Sequence, residues 1–395
     1  MFNMAGDMIS RRGLISGLAA CGLLPGTALR AQARVVTTPI AIEDGRVWIA
    51  ATIGGSRPLQ FIIDTGGVVS LIQDNVAREI GLHARGNTRL TGVGGAENFL
   101  VYEGRDVAFS SGLVQRSVVF GAVPRNLVLG PGAAGAFAAG IFTEADSDLD
   151  FGRGEWRLYP DGRGAREGYR ELPSSIQHIS GNENGSAYVL VDAAVDGRSY
   201  RLLLDTGMPG QLMLWPGAVR RSGLWNEAAP YAPERGRGIG GEGARGRLVR
   251  AGSLRLGPFA FERPLIFLND PSSLEASHYA DGIIGLTSLE LLNLSTDTVR
   301  RRLWAQPSGR PQRPERYRLT GLWVDERGGR LVIADLSPRS PAADAGLQRG
   351  DEIVGLTLAH YLQRAAGRPG DGFELSYRRG GGETHTTRLV LREFL

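Results

Sequence analysis

The chain has 395 residues, 42% of them hydrophobic, and a formal charge of +4, a size that suits two or three soluble domains. It contains no Lys, so all 45 basic residues are Arg; that excludes a Walker A phosphate loop and any Lys Schiff base. Its single Cys, Cys21, excludes a disulfide framework.

The first 33 residues read as an export signal. Ser10-Arg11-Arg12-Gly13-Leu14-Ile15 carries a twin Arg, an apolar stretch follows, and Ala31-Gln32-Ala33 is an A-x-A cleavage site. A general secretory signal with two Arg is the other reading of the same residues. Leu18-Ala19-Ala20-Cys21 also fits a lipoprotein box, a third and minority reading. The apolar stretch is too short to span a bilayer stably. Cleavage after Ala33 removes three Arg and one Asp and takes the formal charge to about +2. That argues against a nucleic-acid partner, places the protein in the periplasm or cell envelope, and leaves no transmembrane helix. The densest basic stretch, Arg310–Arg318, reads as a solvated linker.

The remainder reads as two similar halves and a tail. In the first half, RVWIAATIGGSRPLQFIIDTGG (46–67) is two alternating apolar runs joined by a Gly-Gly-Ser turn, a β-hairpin pattern. In the second, AYVLVDAAVDGRSYRLLLDTGM (187–208) has the same form, turning at Asp196-Gly197. Each hairpin runs into Asp-Thr-Gly: Asp64-Thr65-Gly66 and, 141 residues later, Asp205-Thr206-Gly207. Each half then carries a Gly-apolar-Gly-Gly turn between strands, Gly92-Val93-Gly94-Gly95 and Gly238-Ile239-Gly240-Gly241. The tail follows a Pro- and Arg-rich break. It alternates strands with a short helix from Pro341 to Gly346, a longer helix near His360–Ala366, and a hairpin around Gly380–Gly382. The resulting divisions are 1–33 signal, 34–164 first lobe, 165–306 second lobe, 307–315 linker and 316–395 tail domain.

One Asp-Thr-Gly is a common turn. Two, each ending an apolar strand, make a chemical argument. If the halves pack about a pseudo-twofold axis, Asp64 and Asp205 meet. Two carboxylates in contact share one proton and titrate as a pair. The ionised member can take a proton from a water between them, and the protonated member can donate to a substrate carbonyl. Gly66 and Gly207 let the backbone approach the acids. Thr65 and Thr206 can bond across the lobe interface and fix the two turns.

These paired turns, the Gly-rich hairpins and the later Ile283-Ile284-Gly285 resemble the aspartic proteases, and the retropepsin-like branch more than pepsin. The resemblance covers residues 36–306. It implies a mainly β fold, with two pseudo-twofold-related retropepsin-like β-barrel lobes forming one cleft in one chain. A monomer then suffices for catalysis. It implies a peptide or protein substrate, no cofactor and no metal, and flaps at 92–95 and 238–241 closing over the peptide. Departures from the family are visible. The first half's apolar-apolar-Gly position reads Ile141-Phe142-Thr143, its following segment Gly140–Asp150 looks short against Gly282–Asp297, and neither flap has a Tyr.

The tail resembles a bacterial PDZ domain, an α+β fold, on SPAADAGLQRGDEIVGL (340–356). That implies a carboxylate-binding loop at Leu319–Trp323, with Gly321, Leu322 and Trp323 receiving a peptide C-terminus. A β-rich cap on the second lobe is the alternative. For the whole chain, an inactive peptide-binding scaffold is the alternative to an endopeptidase, supported by the eroded first-half ending and the missing flap Tyr.

Other motifs carry little. Gly238–Gly243 fits G-x-G-x-x-G but lacks the preceding strand and following helix of a dinucleotide site. His83, His178, His278, His360 and His385 are scattered without ligand spacing. Asp146, Asp148 and Asp150 lack the Gly and distal Glu of a calcium loop and read as a solvated turn.

Overall fold

A computed structural model describes residues 34–92, 95–123, 129–179, 185–238, 241–274, 277–313 and 316–395. The protein is mainly β, built on four sheets. None of its described helices is long and apolar enough to cross a membrane.

The first lobe is an eight-stranded sheet. Its hairpin Arg46–Ile53/Leu59–Ile63 turns through Gly54 and Gly55, both at positive φ. Strict alternation in Arg46–Ile53 buries Val47, Ile49, Ala51 and Ile53 on one face. Leu59–Ile63 then pairs in parallel with Gly135–Phe137. Arg46–Ile53 also pairs with the far end of Gly95–Phe109, which curls the sheet into a barrel.

The second lobe repeats this plan in a ten-stranded sheet. Tyr188–Val195/Arg198–Asp205 turns at Asp196 and Gly197, with φ of 46° and 80°, the two left-handed residues of a type I′ turn. Arg198–Asp205 pairs in parallel with Gly282–Gly285.

A third sheet joins the lobes, and nothing in the sequence reading anticipated it. Its order is Val36–Pro39, Glu155–Tyr159, Asp146–Asp150, Leu292–Asp297, Arg302–Pro307, Arg170–Leu172. Asp146–Asp150 is therefore a buried inner strand and not a solvated turn. Its acids are compensated by Arg side chains from the following segment. Arg166 lies 3.1 Å from Asp146, Arg163 2.9 Å from Asp148 and Arg157 2.9 Å from Asp150. A buried carboxylate needs such partners. One hydrophobic core runs through both lobes and this sheet.

The tail forms its own five-stranded sheet, in order Leu322–Arg327, Arg330–Leu336, Glu352–Val354, Gly372–Arg378, Thr384–Val390, with a separate core. Helix Pro341–Asp344 is capped by Ser340 and followed by Gly346 at φ 77°. Helix Leu358–Ala365 is capped by Thr357.

This domain grips the root of the second lobe's hairpin, Ala232–Gly238/Gly241–Arg250. Tyr231 donates its amide to Ser337 Oγ and its hydroxyl to Asp335, each at 2.9 Å. Arg235 pairs with Asp325, and Arg245 with Asp335. The 310–318 stretch is likewise engaged and not simply solvated. Arg310 and Arg313 pair with the buried Glu290, and Arg318 with Glu234.

Candidate active site

The two Asp-Thr-Gly turns lie against each other. Each follows a strand whose side chains are locked in the core, so each acid leaves a rigid support. Thr65 Oγ1 donates to the Leu204 carbonyl at 3.0 Å, and Thr206 Oγ1 to the Ile63 carbonyl at 2.6 Å. Each hydroxyl also accepts the other Thr's amide, at 3.2 and 3.0 Å. Both Thr residues are fully buried. Four reciprocal bonds therefore fix one turn to the other.

The glycines are required by close approach. A Cβ on Gly66 would lie 2.4 Å from Asp205 Cγ, and one on Gly207 2.6 Å from Asp64 Cγ. Each acid thus sits over the opposite lobe's glycine. The amide of Gly66 donates to Asp64 Oδ1 at 3.1 Å, and that of Gly207 to Asp205 Oδ1 at 2.7 Å.

The carboxyls are hydrogen-bonded to each other. Burial pushes Asp64 above the usual carboxylate range. The bond to Asp205, the amides of Gly66 and Gly67, and the positive charge of Arg46 oppose that rise. Burial pushes Asp205 up further, and the charge of Asp64 adds to it instead of offsetting it. The pair therefore holds one proton in common.

Beyond the dyad, Gly92 pairs with Gly95 and Gly238 with Gly241 at the ends of two long hairpins. Val93, Gly94, Ile239 and Gly240 lie outside the described residues. In the tail domain Gly321 has φ 73°, and a Cβ there would meet Ser340 at 2.2 Å. Leu322 is buried in the tail core. The Trp323 indole faces the second lobe, with the guanidinium groups of Arg318 and Arg235 at 5.0 and 5.4 Å from its ring.

The structure corrects one alignment. The counterpart of Gly282-Ile283-Ile284-Gly285 is Gly135-Ala136-Phe137-Ala138 and not Ile141-Phe142-Thr143. Phe61 and Ile63 pair with Gly135 and Phe137, as Leu202 and Leu204 pair with Gly282 and Ile284. A Cβ on Gly135 or on Gly282 would lie 2.0 Å from the carbonyl of Leu71 or of Met213. On this register Gly135 precedes Asp150 by as many residues as Gly282 precedes Asp297, so the first half is not shortened.

Three residues beside the dyad escaped the sequence reading: Arg46, Tyr188 and Tyr279. The Tyr188 and Tyr279 rings stack with centroids 5.8 Å apart. Laying one hairpin on the other from the Asp-Thr-Gly puts Arg46 on Ala187; only the strand register, which absorbs one extra residue in the first turn, brings Arg46 and Tyr188 to the same place.

The comparisons agree with this geometry. Residues 49–135 and 191–287 each match the aspartyl protease family model, one match per lobe. The two lobes are thus a duplicated pair, each similar to an aspartyl protease domain. Among solved structures it is similar to basic 7S globulin from soybean. That likeness has 10% identity and a TM-score of 0.41, over 70% of this chain and 95% of that one, and no argument rests on it. No curated protein matches the chain.

Proposed function

We propose that the chain is an exported aspartic endopeptidase that hydrolyses peptide bonds with a water activated between Asp64 and Asp205. The observation that carries this reading is the dyad itself: two half-buried, hydrogen-bonded carboxyls fixed by reciprocal bonds from the buried Thr65 and Thr206, both raised above the usual carboxylate range.

The mechanism follows from that shared proton. Asp64, favoured as the anion by its amide donors and by Arg46, takes a proton from the water as the oxygen attacks the peptide carbonyl carbon. Asp205 donates its proton to the carbonyl oxygen, giving a neutral tetrahedral diol. Asp64 returns its proton to the amide nitrogen, and Asp205 removes a hydroxyl proton. The C–N bond then breaks to carboxylic acid and amine. The enzyme regains its single shared proton.

The tail, on this reading, is a PDZ module, whose loop at 319–323 would receive a peptide C-terminus through backbone amides. The leader would be removed after Ala33 on export to the cell envelope. The scaffold alternative loses one of its two supports, because the first half's ending is not eroded, and keeps the missing flap Tyr. Incubating an unfolded protein with the mature chain across acid to neutral pH tests the proposal. Cleavage by the wild type, abolished in both Asp64→Asn and Asp205→Asn, is expected. Equal cleavage by either variant would refute it.

A further inference from the structure

Each lobe's sheet has a second apolar face, turned away from the common core. In the first lobe this face holds Trp48, Ile62, Leu71 and Ala136. In the second it holds Leu190, Leu203, Met213 and Ile283. The two sets correspond one to one. Trp48 is paired with Ile62 and Leu190 with Leu203; Leu71 is paired with Ala136 and Met213 with Ile283. Side chains two apart on a strand share a face. One step further along that face, the first lobe presents Arg46 and the second Tyr188.

Both positions flank the dyad. Gly45, next to Arg46, reaches across to the turn after the second Asp-Thr-Gly, where a Cβ on it would lie 3.1 Å from Pro209 Cβ. Both carboxylates act electrostatically on Arg46 and on Tyr188. The two environments differ in kind. Tyr188 is buried and covered by Tyr279. Arg46 is half-buried, and its hydrogen bonds go to two backbone carbonyls, Gly45 at 3.2 Å and Leu129 at 3.4 Å. Among the described residues no ion pair satisfies it, whereas Arg157, Arg163 and Arg166 each hold a buried carboxylate at 2.9 to 3.1 Å. The dyad does not serve as its partner, because those oxygens are bonded to each other and to the Gly66, Gly207 and Met208 amides. A half-buried guanidinium that forms no ion pair among the described residues is a fork shaped for a carboxylate.

We propose that Arg46 is a specificity-determining residue that binds an Asp or Glu side chain of the substrate, so that cleavage sites carry an acidic residue at one fixed position on the first-lobe side. The opposite wall, Tyr188 with Tyr279, suits an apolar or aromatic residue. The inference rests on the peptidase reading and deepens it.

The test is a cleavage-site profile. A mixture of random-sequence peptides is digested by the mature wild-type chain, Arg46→Gln and Arg46→Glu, and the product ends are read by mass spectrometry. The wild type should enrich Glu and Asp at one subsite, with a preference of about 10- to 100-fold in kcat/KM for Glu over Gln, the range of a charge-assisted hydrogen bond. Arg46→Gln should lose that preference, read within each chain as the ratio of kcat/KM for Glu over Gln, a ratio that a general change in dyad activity does not move. Arg46→Glu should enrich Arg or Lys at the same subsite. Identical profiles in wild type and Arg46→Gln overturn the proposal and leave the peptidase reading standing. If the wild type cuts nothing, the peptidase reading fails, and capture of a displayed random heptapeptide library decides the role of Arg46. Acidic peptides held by the wild type and released by Arg46→Gln uphold a carboxylate site. Equal capture by the two chains removes it.

Discussion

The two lobes are alike where the backbone must approach the acids and unlike where a substrate or a neighbouring domain is met. Gly66 and Gly207, Thr65 and Thr206, and Gly135 and Gly282 have matching contacts in the two halves, down to the same 2.0 Å approach at the last pair. Arg46 and Tyr188 hold the same place and differ in charge, burial and partners. The hairpins differ as well. Among the described residues, no hydrogen bond or ion pair joins the first hairpin, 84–109, to the tail domain, whereas the second is held at its root by Tyr231, Arg235 and Arg245. A duplicated chain is thus constrained by geometry at the dyad and free to diverge around it.

The sharpest way to break the equivalence is at the acids. Asp64→Asn and Asp205→Asn should each lower kcat by about 10²- to 10⁴-fold, the contribution of a positioned acid or base. If one variant retains wild-type kcat, the lobes do not share one mechanism.

Next come the cross-lobe contacts. Gly66→Ala and Gly207→Ala each force a methyl into the opposite carboxyl, and each should cost about 1–3 kcal/mol of stability along with activity. Thr65→Val and Thr206→Val each strand a buried amide and a buried carbonyl of the other lobe, again at about 1–3 kcal/mol per unsatisfied group. Matched losses in chemical denaturation would sharpen the symmetry. A large loss from one side only would break it.

The two raised carboxyls give a pH signature. Asp64 and Asp205 both lie above the usual carboxylate range, so the folded chain binds more protons than the unfolded one. Their contribution to stability is full below about pH 4, the unfolded carboxyl value, and is lost as pH rises through the raised folded values. Asp205→Asn removes one of the two raised groups. It should raise the melting temperature at neutral pH and change it little in acid, as read by calorimetry. In activity, Arg46→Gln takes away a charge that lowers Asp64, so the acid limb of the pH–rate profile should move to higher pH.

The smallest effect concerns the hairpins. Tyr231→Phe removes one hydroxyl from Asp335, which keeps Arg245 and Arg349. The expected cost is about 0.5–1.5 kcal/mol. Limited proteolysis should then cut the second hairpin as readily as the first. Unchanged protection would show that this contact does not restrain it.

The dyad was legible in the sequence because its demands are local: an apolar strand, an acid, a hydroxyl and a glycine in fixed order, twice. The hairpin turns at Gly54-Gly55 and Asp196-Gly197 were legible for the same reason. The inter-lobe sheet was not. Asp146–Asp150 alternates no apolar face, and both its pairing with Leu292–Asp297 and the Arg groups that neutralise it are invisible to periodicity. The counterpart of Ile283-Ile284-Gly285 was missed because Ala138 stands where the second lobe has Gly285, and strand register, which marks the match, is not written in residue type.

The claim on which the rest depends is that Asp64 and Asp205 hold one proton between them. Carbon-13 NMR titration of the side-chain carboxyls, with the mature chain labelled at Asp and the two sites assigned from the Asn variants, measures it directly. The account predicts two separated steps, the second displaced well above the usual carboxylate range, and collapse to a single step when either partner is replaced by Asn. Two independent titrations at ordinary carboxylate values, unchanged by removing the partner, would contradict it.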